Sequence, residues 1–236
     1  MLLRFTKMHG LGNDFMMVDL ISQPVTLNPK LIKELSDRRF GIGFDQLLTV
    51  RPPARPDSDF RYTIYNADGS EAEQCGNGAR CFLGFVRDEG LTTKSTIRLE
   101  TSNGNITCKL GKDGNVTVDM GKPALQPGKV PFVADSPQIN YQLSLGPEYP
   151  DTFSISALNV GNPHAVITVP AVDSAPVLEA GPLVERHPRF PEGVNVGFME
   201  VVSRKKIMLR VFERGVGETK ACGSGACAAV VAGRLQ

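Results

Sequence analysis

The sequence predicts an α+β protein of two similar halves, each with a mostly antiparallel sheet and one central helix. A strand-like run, a turn of small residues, a cysteine and an apolar helix occur twice, around Cys75 and Cys222. These cysteines are 147 positions apart, and Glu71 matches Glu218 at the same offset. Gly12-Asn13 matches Gly161-Asn162 in the same order at nearly the same offset. We therefore expect an internal duplication, with halves at 1–121 and 122–236 related by a pseudo-two-fold axis.

The sequence of the first half predicts a series of strands interrupted by two helices. Asn28 followed by Pro29 is a helix cap with a first-turn proline, and the helix is expected to end near Gly41. A glycine-rich loop at 9–14 separates the first two strands. Asn103-Gly104 and Asp113-Gly114 are hairpin signals. The expected strands are 2–8, 15–20, 47–50, 62–65, 96–101, 106–110 and 116–120, and the second helix is 78–89.

The second half repeats this plan after a connection at 121–150 that is rich in proline and glycine and holds one or two strands. Phe190 to Asn195 matches Phe40 to Asp45, and we expect both phenylalanines to lie in a core. The half stops within the helix that follows Cys222, so the natural chain is expected to continue for roughly 30 residues. The expected elements are strands at 152–160 and 165–169 around a loop at 161–164, a helix near 176–187, and a strand ending at 213.

Composition excludes several classes of function. Charged residues make up 22% of the 236 residues and the formal net charge is +1, so no nucleic-acid partner is indicated. No apolar run approaches the roughly 18 residues of a membrane span. Five cysteines without a C-x-x-C pair favour a reducing, cytoplasmic location over a secreted disulfide framework.

Cys75 and Cys222 are the candidate catalytic residues, because a thiol at a helix N-terminus faces unpaired N–H groups and the positive end of the helix dipole. A free cysteine with a pKa near 8.5 is only about 3% thiolate at pH 7, so the setting matters. Two such thiols across a cleft can remove a proton from one face of a carbon and return one to the other. The partner must then stay a thiol, and His164 and Glu213 are candidates to tune this balance.

Other interpretations of these residues remain open. A single cysteine is more often an inert buried thiol, and Cys81, Cys108 and Cys227 are expected to serve packing. A zinc site is conceivable, but the cysteine spacings are poor for chelating pairs. His164 follows a proline and can equally be a structural loop residue.

The chain resembles the diaminopimelate epimerase family in four stretches, at 7–15, 66–80, 161–164 and 213–227. The resemblance implies curved, barrel-like sheets, each wrapped around its central helix, and an active site between the halves. It implies interconversion of LL- and meso-diaminopimelate for lysine and peptidoglycan synthesis, with no cofactor and no metal, in a cytoplasmic homodimer. Glu213 and Arg214 would hold the far amino-acid group of the substrate, its ammonium and carboxylate respectively.

By the same resemblance, Cys75 and Cys222 are the paired acid and base. The implied substrate-binding residues are Asn13, Gln46, Asn66, Gly76, Asn77, Asn162, Asn195, Glu213, Arg214, Gly223 and Ser224. Alternatives are a proline racemase-like enzyme, a phenazine-biosynthesis-like isomerase that would not need both cysteines, and a non-catalytic binding protein for a diamino acid. The substrate of a proline racemase has no second amino-acid head group for Glu213 and Arg214 to hold.

Overall fold

The computed structural model describes residues 2–72, 75–102, 104–147, 149 and 152–236. Its residues divide into two compact units, Met1–Met120 (unit 1) and Gly121–Gln236 (unit 2). Asn103, half of a predicted hairpin turn, lies outside the described residues. No helix in the described part of the chain is long and apolar enough to cross a membrane.

Unit 1 contains a mixed sheet of eight strands with one helix on each face, among its described residues. The predicted strands and both helices are present, with bounds shifted by a few residues. The strands are β1 (Thr6–Gly10), β2 (Asn13–Asp19), β3 (Gln46–Arg51), β4 (Phe60–Asn66), β5 (Glu71–Ala72), β6 (Thr96–Thr101), β7 (Gly104–Leu110) and β8 (Val116–Asp119), and the helices are α1 (Pro29–Ser36) and α2 (Gly76–Asp88).

The loop predicted at 9–14 is shorter than expected. Only Leu11 and Gly12 lie outside β1 and β2, and both have positive φ, at 54° and 87°. Two consecutive positive φ values are typical of the tight turns whose twist matches a hairpin. Asn13 and Asp14 are therefore strand residues, held in register opposite Gly10 and His9.

The unit 1 sheet curls around α2. Its strands run in the order β1-β2-β3-β4-β6-β7-β8, with β5 beside β4, and only the β2/β3 and β4/β6 pairs are parallel. Helix α2 packs against β1 and β8, the two ends of that order, as well as β2, β3 and β7. A flat sheet cannot bring both ends to one helix, so the curved sheet around a central helix is confirmed for this unit.

Alternation along β2 explains why both faces are covered. Phe15 and Met17 pack on the α2 side with Phe82, whereas Met16 and Val18 pack on the α1 side. Each of these five side chains is inaccessible to solvent. A strand buried on both faces reads as a continuous apolar run, which is how this one appears in the sequence.

Unit 2 contains a six-stranded sheet, again with a helix on each face among its described residues. One strand and a short 3-10 helix, Pro127–Lys129, occupy the connection. The strands are β9 (Tyr141–Ser144), β10 (Thr152–Asn159), β11 (Pro163–Thr168), β12 (Asn195–Ser203), β13 (Lys206–Glu213) and β14 (Gly217–Thr219), and the helices are α3 (Val177–Glu185) and α4 (Gly223–Leu235).

The larger core of unit 2 lies on the α3 face, not around α4. Ile167 and Phe198 pack there with Val184, whereas the α4 face holds a smaller cluster that includes Val166 and Ala228. Small alanines let α4 approach the sheet closely but bury little apolar area. The expectation that the cysteine helix forms the centre of each half therefore describes unit 1 better than unit 2.

The two units share one topology. Strands β1 to β5 and β10 to β14 pair in the same order, as antiparallel, parallel, antiparallel and antiparallel neighbours. Tyr65 lies opposite Glu71, and Phe212 lies opposite Glu218. Repeated pairing register, rather than sequence similarity alone, indicates an internal duplication.

The match between Phe40 and Phe190 does not extend to burial. Phe190 is 2% exposed and packs on Phe132, but Phe40 is 95% exposed, so the expectation of a core role is wrong for Phe40. The side chain of Asp37 accepts the backbone N–H of Phe40 in the turn after α1. That turn leaves the Phe40 ring facing solvent.

Candidate active-site residues

Cys75 and Cys222 occupy the same local position, the N-cap of a helix. Cys75 precedes α2 and its Sγ accepts the N–H of Gly78 at 3.4 Å. Cys222 precedes α4 and its Sγ accepts the N–H of Gly225 at 3.3 Å. Each sulfur therefore takes one of the four N–H groups that a helix start leaves without an intrahelical partner.

The glycine three residues after each cysteine packs closely against its own sheet, and at Gly78 there is no room for a side chain. A Cβ added at Gly78 would lie 2.4 Å from the Tyr62 hydroxyl, and one at Gly225 would lie 3.1 Å from Val211. Both glycines lie against a strand of their own sheet, β4 or β13. Glycine thus lets the helix start pack on the sheet and present its N–H to the sulfur.

In unit 1 the start of β2 meets the thiol. The Sγ of Cys75 lies 3.6 Å from the Oδ1 of Asn13. The hydroxyl of Tyr62 donates to the backbone carbonyl of Cys75 at 3.1 Å, which ties the N-cap to β4. Two strands therefore fix the position of this cysteine.

Gln46 and Asn66 form a second polar pair in unit 1. They lie opposite each other where β3 begins and β4 ends, and the Nε2 of Gln46 donates to the Oδ1 of Asn66 at 3.1 Å. The Oε1 of Gln46 is buried and has no hydrogen-bond partner among the described residues. An unused buried acceptor is uncommon in a native protein and is suited to a donor supplied by a ligand.

Gly76 and Asn77 form the first turn of α2 directly after Cys75. Asn77 is 3% exposed, and its side-chain oxygen accepts a hydrogen bond from Arg80. The backbone N–H groups of a first turn can bind an anion. In unit 2 the equivalent positions are Gly223 and Ser224.

The thiol of Cys222 is held in its protonated form. Burial, followed by the charge of the Glu213 carboxylate, raises its pKa to about 12, although the hydrogen bonds from Ser224 and Gly225 act in the opposite direction. The Oγ of Ser224 lies 3.4 Å from the sulfur. The helix end alone was expected to favour thiolate, but at Cys222 the cost of burying a charge outweighs it.

Glu213 and Arg214 end β13 and begin the turn to β14. The side chain of Thr219 donates to the carboxylate of Glu213. The Oδ1 of Asn195 accepts the backbone N–H of Arg214 at 3.1 Å, and the Arg214 guanidinium donates to the carbonyl of Glu192 at 2.9 Å. This turn therefore carries an acid and a guanidinium in adjacent, braced positions.

Glu185 is a further brace on the same turn. The residue is buried, at 6% exposed, and its Oε1 accepts the backbone N–H of Gly215 at 2.7 Å. The glutamate comes from the last residue of α3, so the helix on the larger core holds the turn that follows β13. A hydrogen bond from a backbone N–H to a buried carboxylate is strong, because the acceptor is charged.

His164 and Asn162 form the remaining predicted pair. The Nε2 of His164 lies 2.9 Å from the Oδ1 of Asn162, so Nε2 carries the proton in this arrangement. His164 is inaccessible to solvent, and burial followed by the Arg214 charge lowers its pKa to about 3. A neutral imidazole adds no charge near Asn162, and its hydrogen bond holds the Asn162 carboxamide in this position.

The sequence interpretation missed four residues that support the site: Tyr62, Thr219, Glu185 and Asp45. Tyr62, Thr219 and Asp45 each hydrogen-bond to a predicted residue, Cys75, Glu213 and Asn13 respectively. Glu185 hydrogen-bonds to Gly215, next to the predicted Arg214. Tyr62 lies in the strand-like run before the first cysteine motif, Asp45 matches Asn195 in the duplication, and Thr219 lies in the stretch 213–227. None of these signals shows which residue each side chain contacts in the fold.

The other three cysteines serve packing, as predicted. Cys108 is fully buried and Cys81 is 7% exposed, and Cys227 packs against the α4 cluster. All five cysteines are free thiols. The described residues contain no group of three or more His, Cys, Asp or Glu side chains that could hold a metal ion.

Comparison with known proteins gives the family. The sequence profile described as Diaminopimelate epimerase matches residues 5–126 and 156–236. The chain is 59% identical over 232 residues to "Diaminopimelate epimerase" of Ectopseudomonas mendocina, covering 98% of this chain and 83% of the relative. It is 61% identical over 231 residues to the protein of the same name from Aromatoleum aromaticum, covering 98% and 82%.

Solved structures show the same fold at low identity. A crystal structure of a probable proline racemase from Agrobacterium radiobacter K84, with bound carbonate, superimposes with a TM-score of 0.69 at 15% identity. The match covers 99% of this chain and 78% of that one. From the profile match and the identity to its relatives over nearly its whole length, the chain is an isomerase that belongs to the diaminopimelate epimerase family.

Proposed function

We propose that this protein interconverts LL- and meso-diaminopimelate by exchanging the proton on one α-carbon between Cys75 and Cys222. The observation that carries this proposal is that both sulfurs cap a helix with the same geometry, at 3.4 and 3.3 Å from a helix N–H. The shared topology of the two units supports it. The roughly 60% identity to relatives named for this reaction supports the choice of substrate.

The proposed step balances as a simple proton exchange. One cysteine, as thiolate, takes the α-proton, and the electron pair of the broken C–H bond moves into the adjacent carboxylate as an enolate-like charge. The other cysteine, as thiol, returns its proton to the opposite face of the carbon. Each sulfur ends in the state that the other began in, so each must be competent as acid and as base. The raised pKa of Cys222 favours its entry into this cycle as the acid.

The proposed substrate contacts divide by charge. The backbone N–H groups of Gly76, Asn77, Gly223 and Ser224 would hold the carboxylate at the reacting carbon and stabilise the developing charge. At the far end of the substrate, Glu213 would pair with the ammonium group and Arg214 with the carboxylate.

The amide side chains complete the proposed pocket. Carboxamides can donate to a carboxylate and accept from an ammonium group, so they suit both ends of the substrate. They are Asn13, Gln46, Asn66, Asn162 and Asn195. We assign the enzyme to lysine and peptidoglycan precursor synthesis in the cytoplasm, acting as a homodimer without a cofactor.

Isotope exchange tests the reaction directly. The reduced protein is incubated with LL-diaminopimelate in deuterated water, and label at the α-carbon is followed by mass spectrometry. Exchange together with formation of the meso isomer supports the proposal. Absence of both would refute it.

Cysteine substitutions test the two-base assignment. Cys75→Ala and Cys222→Ala are each expected to abolish epimerisation, because each removes one of the two proton carriers. Cys227→Ala is the matched control, since it removes a thiol from the same helix away from the N-cap. A wild-type rate in either N-cap variant would show that the two-base scheme is wrong, and a binding protein would have no rate to lose.

A further inference from the structure

Asn13 links the thiol of Cys75 to a carboxylate that the reaction scheme does not use. Its Oδ1 lies 3.6 Å from the sulfur, and its Nδ2 donates to the Oδ2 of Asp45 at 3.1 Å. The two ends of one carboxamide thus face different partners. Which end faces the sulfur matters, because one end accepts hydrogen bonds and the other donates them.

Asp45 determines that orientation. Its Oδ2 also accepts the backbone N–H of Asp14 at 2.8 Å, and its Oδ1 accepts the Nη2 of Arg38 at 2.7 Å. A carboxylate can only accept, so the carboxamide of Asn13 must turn its NH₂ group towards Asp45. The oxygen of Asn13 is then left for Cys75.

Charged neighbours hold Asp45 in place. Arg38 bridges Asp45 and Asp14, with its Nη1 at 3.0 Å from the Oδ2 of Asp14, and Lys7 lies 2.6 Å from the other Asp14 oxygen. Arg38 is 58% exposed, so these ion pairs contribute little to stability by themselves. Their effect is to keep the Asp45 carboxylate in one orientation.

We propose that Asp45 is a positioning residue that fixes the carboxamide of Asn13 so that its oxygen, and not its NH₂ group, faces the Cys75 thiol. The catalytic meaning of this arrangement rests on the proposed function. Among its described contacts, the sulfur accepts a hydrogen bond from the N–H of Gly78, which favours thiolate, and offers its proton to Asn13, which favours thiol. This balance suits a cysteine that must act as a base in one direction and as an acid in the other.

The pH dependence of Cys75 alkylation tests the proposal without substrate. Iodoacetamide rates are measured from pH 6 to 10, and the peptide that carries Cys75 is quantified by mass spectrometry. In Asp45→Ala the carboxamide is free to turn its NH₂ group to the sulfur, so the apparent pKa of Cys75 should fall by about one unit. That is a tenfold rise in thiolate at a pH below both values.

Asp45→Asn is the charge-matched control. It removes the same negative charge, but its side-chain oxygen can still accept from the backbone N–H of Asp14 and from Asn13. The shift should then be much smaller than in Asp45→Ala. The charged groups around this site, Lys7, Asp14 and Arg38, are the same in both variants, as is the buried Tyr62 phenol on the sulfur side.

A double-mutant cycle shows whether Asp45 acts through Asn13. In an Asn13→Ala background, Asp45→Ala should no longer change the pKa of Cys75. No shift in the wild-type background, or an equal shift in both backgrounds, would overturn the proposal. The fully buried Cys108 should stay unmodified in every variant, which reports that unit 1 remains folded.

NMR of the unmutated protein gives a second measurement that does not depend on variant folding. The side-chain NH₂ of Asn13 should exchange slowly with solvent, because one of its protons is held by a carboxylate. An Asn13 NH₂ signal that exchanges as fast as that of exposed asparagines would also overturn the proposal. Neither measurement involves turnover, so failure of the proposed reaction and failure of this inference are distinguishable.

Discussion

His164 makes the stability of unit 2 depend on pH, and the size of the effect can be worked out from its burial. The imidazole is inaccessible to solvent and its pKa is lowered to about 3, from an ordinary value near 6.5. Below pH 6.5 the unfolded chain binds a proton that the folded chain does not bind. Stability is therefore complete above pH 6.5 and is lost as the pH falls towards 3.

The expected loss is about 1.4 kcal/mol per pH unit in that window, so about 2 kcal/mol by pH 5. The perturbation is His164→Gln, which keeps a polar side chain able to hydrogen-bond to Asn162 but cannot titrate. The variant should lose about 2 kcal/mol less than wild type between pH 8 and pH 5. Carboxylates change their protonation state mainly below this pH range. They are the same in both proteins, so their effect on stability cancels in the comparison.

Urea unfolding at pH 8 and pH 5 provides the measurement, followed through hydrogen exchange of unit 2 peptides so that unit 1 does not contribute. His9→Gln is the matched control, because His9 is exposed in β1 of unit 1. Equal losses in wild type and His164→Gln would refute the argument that a buried neutral imidazole couples folding to pH.

Three further predictions concern the residues that hold the site. Glu213→Gln should lower the pKa of Cys222 from about 12, because a carboxylate that raises it is removed, and alkylation of that peptide should speed up at pH 8; an unchanged pH profile would contradict this. Tyr62→Phe should cost about 1 kcal/mol of stability through the lost hydrogen bond to the Cys75 carbonyl, measured by urea unfolding, and a change below 0.3 kcal/mol would show that this bond contributes little. Glu185→Ala should raise KM more than it lowers kcat, because it frees the turn after β13 without touching either thiol, and steady-state kinetics with an equal loss in kcat would argue against that role.

The duplication could be predicted from the sequence because its anchors are residues with local structural requirements. Glycines at tight turns and cysteines before apolar helices leave marks that survive when the packing residues diverge. The strand–cysteine–helix order followed from hydrophobic periodicity and small residues near Gly78 and Gly225. Local residue patterns therefore predicted the order of strand, N-cap cysteine and helix in both units.

Contacts and burial that depend on residues distant in the sequence could not be predicted from local patterns. The raised pKa of Cys222 depends on the burial of the sulfur and on the charge of the Glu213 carboxylate, and neither can be read from the residues adjacent to Cys222 in the sequence. Asp45 touches Asn13 across 32 positions of sequence, so nothing adjacent to either residue marks the contact. Phe40 looked like its counterpart Phe190, but an Asx-type turn outweighed its apolar character.

Using sulfur as an N-cap has a consequence for the stability of the protein. Serine is among the best N-cap residues, and its oxygen would make a shorter and stronger bond to the helix N–H than the 3.3–3.4 Å contacts of the two sulfurs. Each helix therefore begins with a weaker cap than the same backbone would allow. Serine variants at both positions should therefore melt no earlier than the natural protein, and under the proposed function they would lack a proton carrier at each helix start. On that proposal, the two N-caps trade some thermal stability for the chemistry of a thiol.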